Sequence, residues 1–204
     1  MKKKIASIFL TSVVMMVSLG TCVLAAAPEK IDEKTKEAYY AEYMEIVKEV
    51  SEETGSDITL LPMREFAEDD WKTPEEFRDF ITEIANWTIV CNETSAIQAR
   101  ALTRTKTDTI TADGKNFTIS ITGTFETMYN SAMDRQIFKS CNSVTSSLSS
   151  GTGSWRQTGY ESDGMDAART YKITVSGTLT VAGAVFNNKL ATAFFYCTAT
   201  GNVN

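Results

Sequence analysis

The chain contains no histidine. That one absence removes Ser-His-Asp and Cys-His nucleophilic catalysis, the usual zinc hydrolase sites and most transition-metal sites. No SxxK motif offers a Ser-Lys dyad in their place. Gly151-Thr152-Gly153 lacks the following lysine and the strand-to-helix setting of a phosphate loop, so it reads as an ordinary loop. Cysteine is scarce, with Cys22, Cys91, Cys141 and Cys197, no CxxC and no paired spacing that suits zinc. Neither residues 26–99 nor residues 100–204 supply a dense basic face, which argues against a nucleic-acid partner.

The N-terminus is the most apolar stretch. Lys2, Lys3 and Lys4 precede an uncharged run from Ile5 to Leu19, and Val23-Leu24-Ala25 supplies small or β-branched residues before a cut ahead of Ala26. This is the pattern of an export signal, residues 1–25, and the run is short of the ~20 residues that span a bilayer. Leu19-Gly20-Thr21-Cys22 resembles a lipoprotein box, with Thr21 where the pattern wants a smaller residue, so a lipid anchor at Cys22 is the lesser reading.

The rest divides by charge and by period. Residues 26–99 hold 19 acidic and 7 basic residues, net −12, whereas residues 100–204 hold 7 acidic and 10 basic, net +3. An acidic front of this kind reads as a solvated helical region. Tyr40, Tyr43, Met44, Val47 and Val50 recur at helical spacing within 32–54, and Gly55 is a natural stop. Thr73, Pro74 and Glu76 form a capping box with proline in the first turn. The stripe Phe77, Phe80, Ile81, Ile84 and Trp87 or Thr88 then predicts a second helix running to at least Val90.

From Ala101 the period becomes two. "FTISITGTF" (117–125) and "YKITVSGTL" (171–179) share one pattern, with Gly123 and Gly177 in equivalent places. Each puts apolar residues on one face and Thr or Ser on the other, as a half-buried strand does. Further strands are expected over 103–111, 136–148, 154–160 and 190–199, with turns at Asp113-Gly114 and Ala182-Gly183. The fold class is therefore α+β: an N-terminal helical pair followed by an antiparallel β-sandwich or small barrel. The echo continues into "FKSC" and "FFYC", so a bridge between Cys141 and Cys197 would join corresponding points of two units. The competing reading is that both are small buried hydrophobes.

Candidate site residues are few. Glu161, Asp163 and Asp166 in "ESDGMD" form an oxygen-rich stretch that calcium could use, although the order is not that of an EF-hand and a solvated turn is the simpler account. No other cofactor is indicated. Trp155, Arg156 and Tyr160 surround a Gly/Ser-rich stretch and are candidates for stacking on a sugar or contacting a protein, against the reading that Trp155 only covers the core edge. The acids Glu65, Glu68, Asp69, Asp70, Glu75 and Glu76 are numerous enough for a general acid and base, but first-turn acids are also what a helix dipole favours.

"RTYKITVSGTLTVAG" (169–183) and "FFYCTATG" (194–201) resemble a group of small exported proteins of Gram-positive bacteria that join a charged helical segment to a Thr-rich β domain. The resemblance implies export and the β fold, and it carries no activity or site residues. The expectation is a secreted or surface-associated, non-catalytic module that binds a glycan or a protein. The alternatives are a carboxylate-dependent polysaccharide hydrolase and a small secreted inhibitor or toxin-like factor.

Overall fold

The computed structural model describes residues 31–94 and 102–204; the signal segment and Cys22 lie outside the described residues. Helix α1, Glu33–Thr54, starts where the Asp32 carboxylate accepts the Thr35 N–H at 2.9 Å, and stops where Gly55 turns left-handed at φ 69. Its buried stripe is Tyr43, Ile46, Val47 and Val50. Met44 is 51% exposed, so the expected stripe is corrected there: Ile46, not Met44, lies on the side that meets the core.

Helix α2, Pro74–Ala85, has the expected capping box and buries Phe77, Phe80, Ile81 and Ile84. It ends five residues earlier than the sequence pattern suggested. Asn86 folds its side-chain amide back to the Thr82 carbonyl (2.9 Å), and the β-branched residues that follow enter strand β2, Ile89–Cys91. The open carbonyl of Ala85 accepts the Lys189 amine at 2.8 Å, a cation placed where the helix dipole favours one. Between the helices, β1 (Ile58–Leu60) and a linker are tied down by Tyr43. Its buried hydroxyl accepts the Lys72 N–H at 2.9 Å and donates to the Lys72 carbonyl. The Phe66 ring covers Gly183 so closely that an added Cβ would sit 2.2 Å from it.

The remaining strands are β3 (Glu93–Thr94), β4 (Thr103–Ala112), β5 (Lys115–Asn130), β6 (Arg135–Ser150), β7 (Ser154–Met165), β8 (Thr170–Val181) and β9 (Ala184–Tyr196). One sheet has the order β1-β9-β8-β7, with β2 added parallel to β9; the other runs β3-β4-β5-β6. The chain changes sheets between β2 and β3. Phe117, Ile119, Ile121 and Phe125 of β5 and Ile173, Val175 and Leu179 of β8 are all buried. The two echoed strands thus serve as the central strands of opposite sheets, which is the β-sandwich of an α+β fold. Both helices dock on one end of it, where Tyr43, Phe77, Phe80 and Ile84 share a core with Phe117, Leu179 and Phe186.

The echoed glycines turn out to solve one packing problem in two ways. A Cβ on Gly123 would stand 2.5 Å from the Phe125 ring, and one on Gly177 would stand 2.4 Å from the Trp155 indole. Each gives an aromatic ring a seat on the sheet, the close approach that glycine in a strand often marks. The two-residue turns Asp113-Gly114 and Ala182-Gly183 have positive φ throughout, as tight hairpins require. The β7–β8 connection is less ordinary. Asp166, Ala167 and Ala168 are successively left-handed (φ 52, 56 and 62), at about 1–2 kcal/mol each for a residue with a Cβ. Anchors hold the turn there: the Phe138 N–H donates to the Ala168 carbonyl at 2.8 Å, and the Thr170 hydroxyl donates to Asp166 at 2.9 Å.

Candidate functional site

The two sheets present outer faces of different chemistry. On the four-stranded sheet, β4 and β5 pair without a break from Thr103–Thr124 to Ala112–Lys115. Alternate residues therefore form rungs of hydroxyls that bond to each other: Thr103 with Thr124 (3.0 Å), Thr105 with Thr122 (2.7 Å) and Thr109 with Thr118 (2.9 Å). Thr111 donates to Asn116 at 2.8 Å, and Ser120 extends the ladder to Ser147 of β6 at 2.9 Å. These hydroxyls spend much of their bonding capacity on one another.

The five-stranded sheet has no such continuous ladder. Its edge strand β7 bulges at Thr158: Gln157 pairs with Gly177 and Gly159 with Ser176, leaving Thr158 over. A bulge reverses which side chains face out. Before it, Trp155 pairs with the inward Leu179; beyond it, Glu161 pairs with the outward Thr174. At the break, Gly159 leaves the sheet surface bare, and a depression of about 390 Å³ opens between Gly159, Tyr160, Glu161, Thr174, Ser176 and Leu190.

Leu190 is 57% exposed and gives the depression an aliphatic wall, while Tyr160, opposite the buried Val175, borders it as the strand residue between Gly159 and Glu161 with its side chain on the other face of β7. Its floor carries hydroxyls with capacity to spare. Ser176 accepts from Thr158 at 3.2 Å, and Thr174 meets Thr192 at 3.2 Å, both longer than most of the rungs on the other sheet. Glu161 is the only charged side chain among the lining residues. Among the described residues it has no ion-pair or hydrogen-bond partner.

The candidate residues from the sequence scatter across this frame. Trp155 is half-buried over Gly177 and donates its indole N–H to Ser146 at 2.8 Å. Ser146 in turn donates to Gln157 (2.8 Å), and Gln157 donates to the Val144 carbonyl (3.3 Å), which stitches β7 to β6. Arg156 points to solvent on the opposite side of the strand, so only Tyr160 of that trio lines the depression. "ESDGMD" is not a loop, which corrects the sequence reading. Glu161 and Asp163 lie within β7 on its outer face, while Asp166 belongs to the left-handed turn, where it holds Thr170. Among the described residues no group of three or more Cys, Asp or Glu is placed to hold a metal ion.

Cys141 and Cys197 carry free thiols, as does Cys91, so the expected bridge is corrected as well. Although both pack into one core, each thiol donates to a carbonyl close by in sequence, Cys141 to Ser143 (3.9 Å) and Cys197 to Thr198 (3.4 Å). Burial pushes the Cys91 thiol up to about 12, which makes it an inert core group and no nucleophile. Of the acids in the linker and the first turn of α2, Glu68 pairs with Lys36 at 2.8 Å, Asp70 accepts the Ala67 N–H, and Glu76 completes the capping box. These are structural contacts.

The depression itself was only partly visible in sequence. Thr174 and Ser176 carried the outward parity of β8, and Tyr160 stood out as an aromatic. Leu190 gave no signal, because its exposure depends on its neighbour Ser176 and on the bare Gly159 beyond. Set against protein families, curated proteins and solved structures, the chain matches none of them. Among the described residues no helix is long and apolar enough to cross a membrane.

Proposed function

We propose that this is a non-catalytic binding module that acts outside the cell and takes a glycan in the depression beside the β7 bulge. The observation that carries the reading is the lining itself: an aliphatic side chain, two hydroxyls and one carboxylate around a bare glycine. A sugar ring has the same mixture, with apolar C–H faces edged by hydroxyls. A few placed polar groups in an otherwise apolar hollow are what fix a small ligand's orientation. A protein ligand would ask for a broader apolar centre than Leu190 supplies. Hydrolysis would need a second carboxylate across the site, and the lining supplies only Glu161. Action outside the cell follows from the N-terminal signal pattern and from the resemblance to exported proteins.

Calorimetric titration of the protein with soluble oligosaccharides tests this directly. Gly159→Leu fills the hollow and is expected to lower affinity at least tenfold, with little loss of stability because the site is at the surface. A wild type that binds no glycan, or a Gly159→Leu variant that binds equally well, overturns the reading.

A further inference from the structure

The hollow is one end of a longer strip on the same sheet face. β9 pairs with β8 without a register break from Lys189 to Tyr196, so its side chains alternate strictly over that stretch. Ala191, Ala193 and Phe195 are buried in the core, which turns Leu190, Thr192, Phe194 and Tyr196 to the outer face. Leu190 is 57% exposed and Tyr196 50%, and Phe194 is partly exposed between them. Outward residues of one strand stand about 7 Å apart, so the line from Leu190 to Tyr196 covers about 20 Å.

Polar groups border this line. On the β8 side the partners of Leu190, Thr192 and Phe194 are Ser176, Thr174 and Lys172, all in outward positions. At the far end Asn204 lies beside Tyr196, held there by a reciprocal pair of backbone hydrogen bonds of 2.9 Å. Apolar bodies therefore stand in single file with hydrogen-bonding groups beside them. The file is one strand wide, too narrow for the broad apolar centre of a protein interface.

A single sugar ring seated in the hollow would cover Leu190 and leave Phe194 and Tyr196 in water. A chain of rings would cover all three. The linkage matters, because the rings must follow a nearly straight line. Equatorial β-1,4 bonds extend a pyranose chain as a flat ribbon, with C–H faces to either side and hydroxyls along its edges. An α-1,4-linked chain coils and would leave the strip after its first rings. Tyr196 suits such a ribbon, since its ring is apolar and its hydroxyl is a polar tip.

Building on the glycan reading, we infer that the ligand is an extended β-1,4-linked oligosaccharide that starts in the hollow and runs along β9, its further rings resting on Phe194 and Tyr196. Ser176, Thr174 and Lys172 meet the hydroxyls of one ribbon edge, and Asn204 meets those at the far end.

Calorimetry with dimers and hexamers of β-1,4-linked glucose, β-1,4-linked N-acetylglucosamine and α-1,4-linked glucose tests this on wild type, Tyr196→Ala and Tyr196→Phe, each shown by thermal melting to be folded. A β-linked hexamer is expected to bind wild type at least tenfold more tightly than its dimer, and the α-linked pair to show no such gain. Tyr196→Ala is expected to lose most of the gain and Tyr196→Phe to keep it, with dimer affinity unchanged in both. The length and linkage comparison on wild type holds whether or not the variants fold. A β-linked hexamer that binds no better than its dimer, an equal gain in the α-linked series, or a gain undiminished in Tyr196→Ala overturns the inference. The glycan reading then stands if a glycan still binds wild type and is lost in Gly159→Leu. Absence of binding by every glycan overturns both.

Discussion

The two outer faces of the sandwich are built from the same residue types and end with opposite characters. On the four-stranded sheet the unbroken β4–β5 register lets Thr and Ser pair across strands until the hydroxyls are largely satisfied, and the irregularities of that sheet fall between β5 and β6. Such a face keeps the sheet in water and offers a ligand little. On the five-stranded sheet one extra residue, Thr158, breaks the register. Beside the break the hydroxyl contacts lengthen to 3.2 Å, Glu161 turns outward and Gly159 stays bare next to Leu190. Composition alone does not separate the two faces. Where the register breaks does: between β5 and β6 on one sheet, and at the exposed β7 edge beside Gly159 on the other.

The comparison can be broken first at the glycines that seat aromatic rings. Gly123→Ala and Gly177→Ala each force a Cβ against a ring, and overpacking of this sort costs about 1–3 kcal/mol. Gly123 is expected to be the worse, because Phe125 is 1% exposed and cannot yield, whereas the half-buried Trp155 can tilt outward. Urea unfolding would show it, and equal, small losses would mean that the rings are not wedged against the sheets. Next comes Trp155 itself. Trp155→Phe removes the bond to Ser146 and loosens the β6–β7 seam, for a stability loss of about 1 kcal/mol. Glycan affinity should not change, since the indole faces away from the depression; a matching loss of affinity would return Trp155 to the site.

A gentler test concerns the edge of the five-stranded sheet under α2. Burial pushes the Lys189 amine down to about 8 from 10.5, so between those values the unfolded chain holds a proton that the folded one has released. Lys189 therefore makes stability rise with pH across that window. Cys91 and Tyr43, both pushed up to about 12 by burial, act in the opposite sense above pH 9 and 10 respectively. The clean readout is the difference between wild type and Lys189→Met, which should move in favour of wild type from pH 8 to 10.5; a flat difference would mean that the amine stays charged beside the Ala85 carbonyl. The smallest effect is expected on the hydroxyl ladder. Replacing Thr105 and Thr122 together by Val removes both partners of a surface bond, and should change stability by less than about 0.5 kcal/mol. Glycan affinity should be untouched.

Much of this architecture can be read from residue order. Asp32 and Gly55 bracket α1, the Thr73 capping box opens α2, and the two-residue period of 117–125 and 171–179 places a core between two sheets. These are local rules, decided by neighbours in sequence. What escaped was set by partners distant in sequence. The end of α2 depends on Lys189 and on the pairing of β2 with β9 as well as on Asn86, so a helical stripe through Trp87 overran it. The β7 bulge is a relation between two strands, and without it Glu161 and Asp163 look like a loop. The cysteines lie at echoed places, yet each thiol finds a carbonyl nearby, which sequence spacing does not show. The site was legible as Tyr160 and a hydroxyl-bearing strand, and illegible as a hollow.

A nuclear magnetic resonance titration of the isotope-labelled protein with a soluble oligosaccharide tests the contrast between the faces most directly. The account predicts shift changes confined to residues 158–163 of β7, 170–176 of β8 and 190–196 of β9. Changes centred instead on the Thr103–Thr111 ladder and its β5 partners would contradict it.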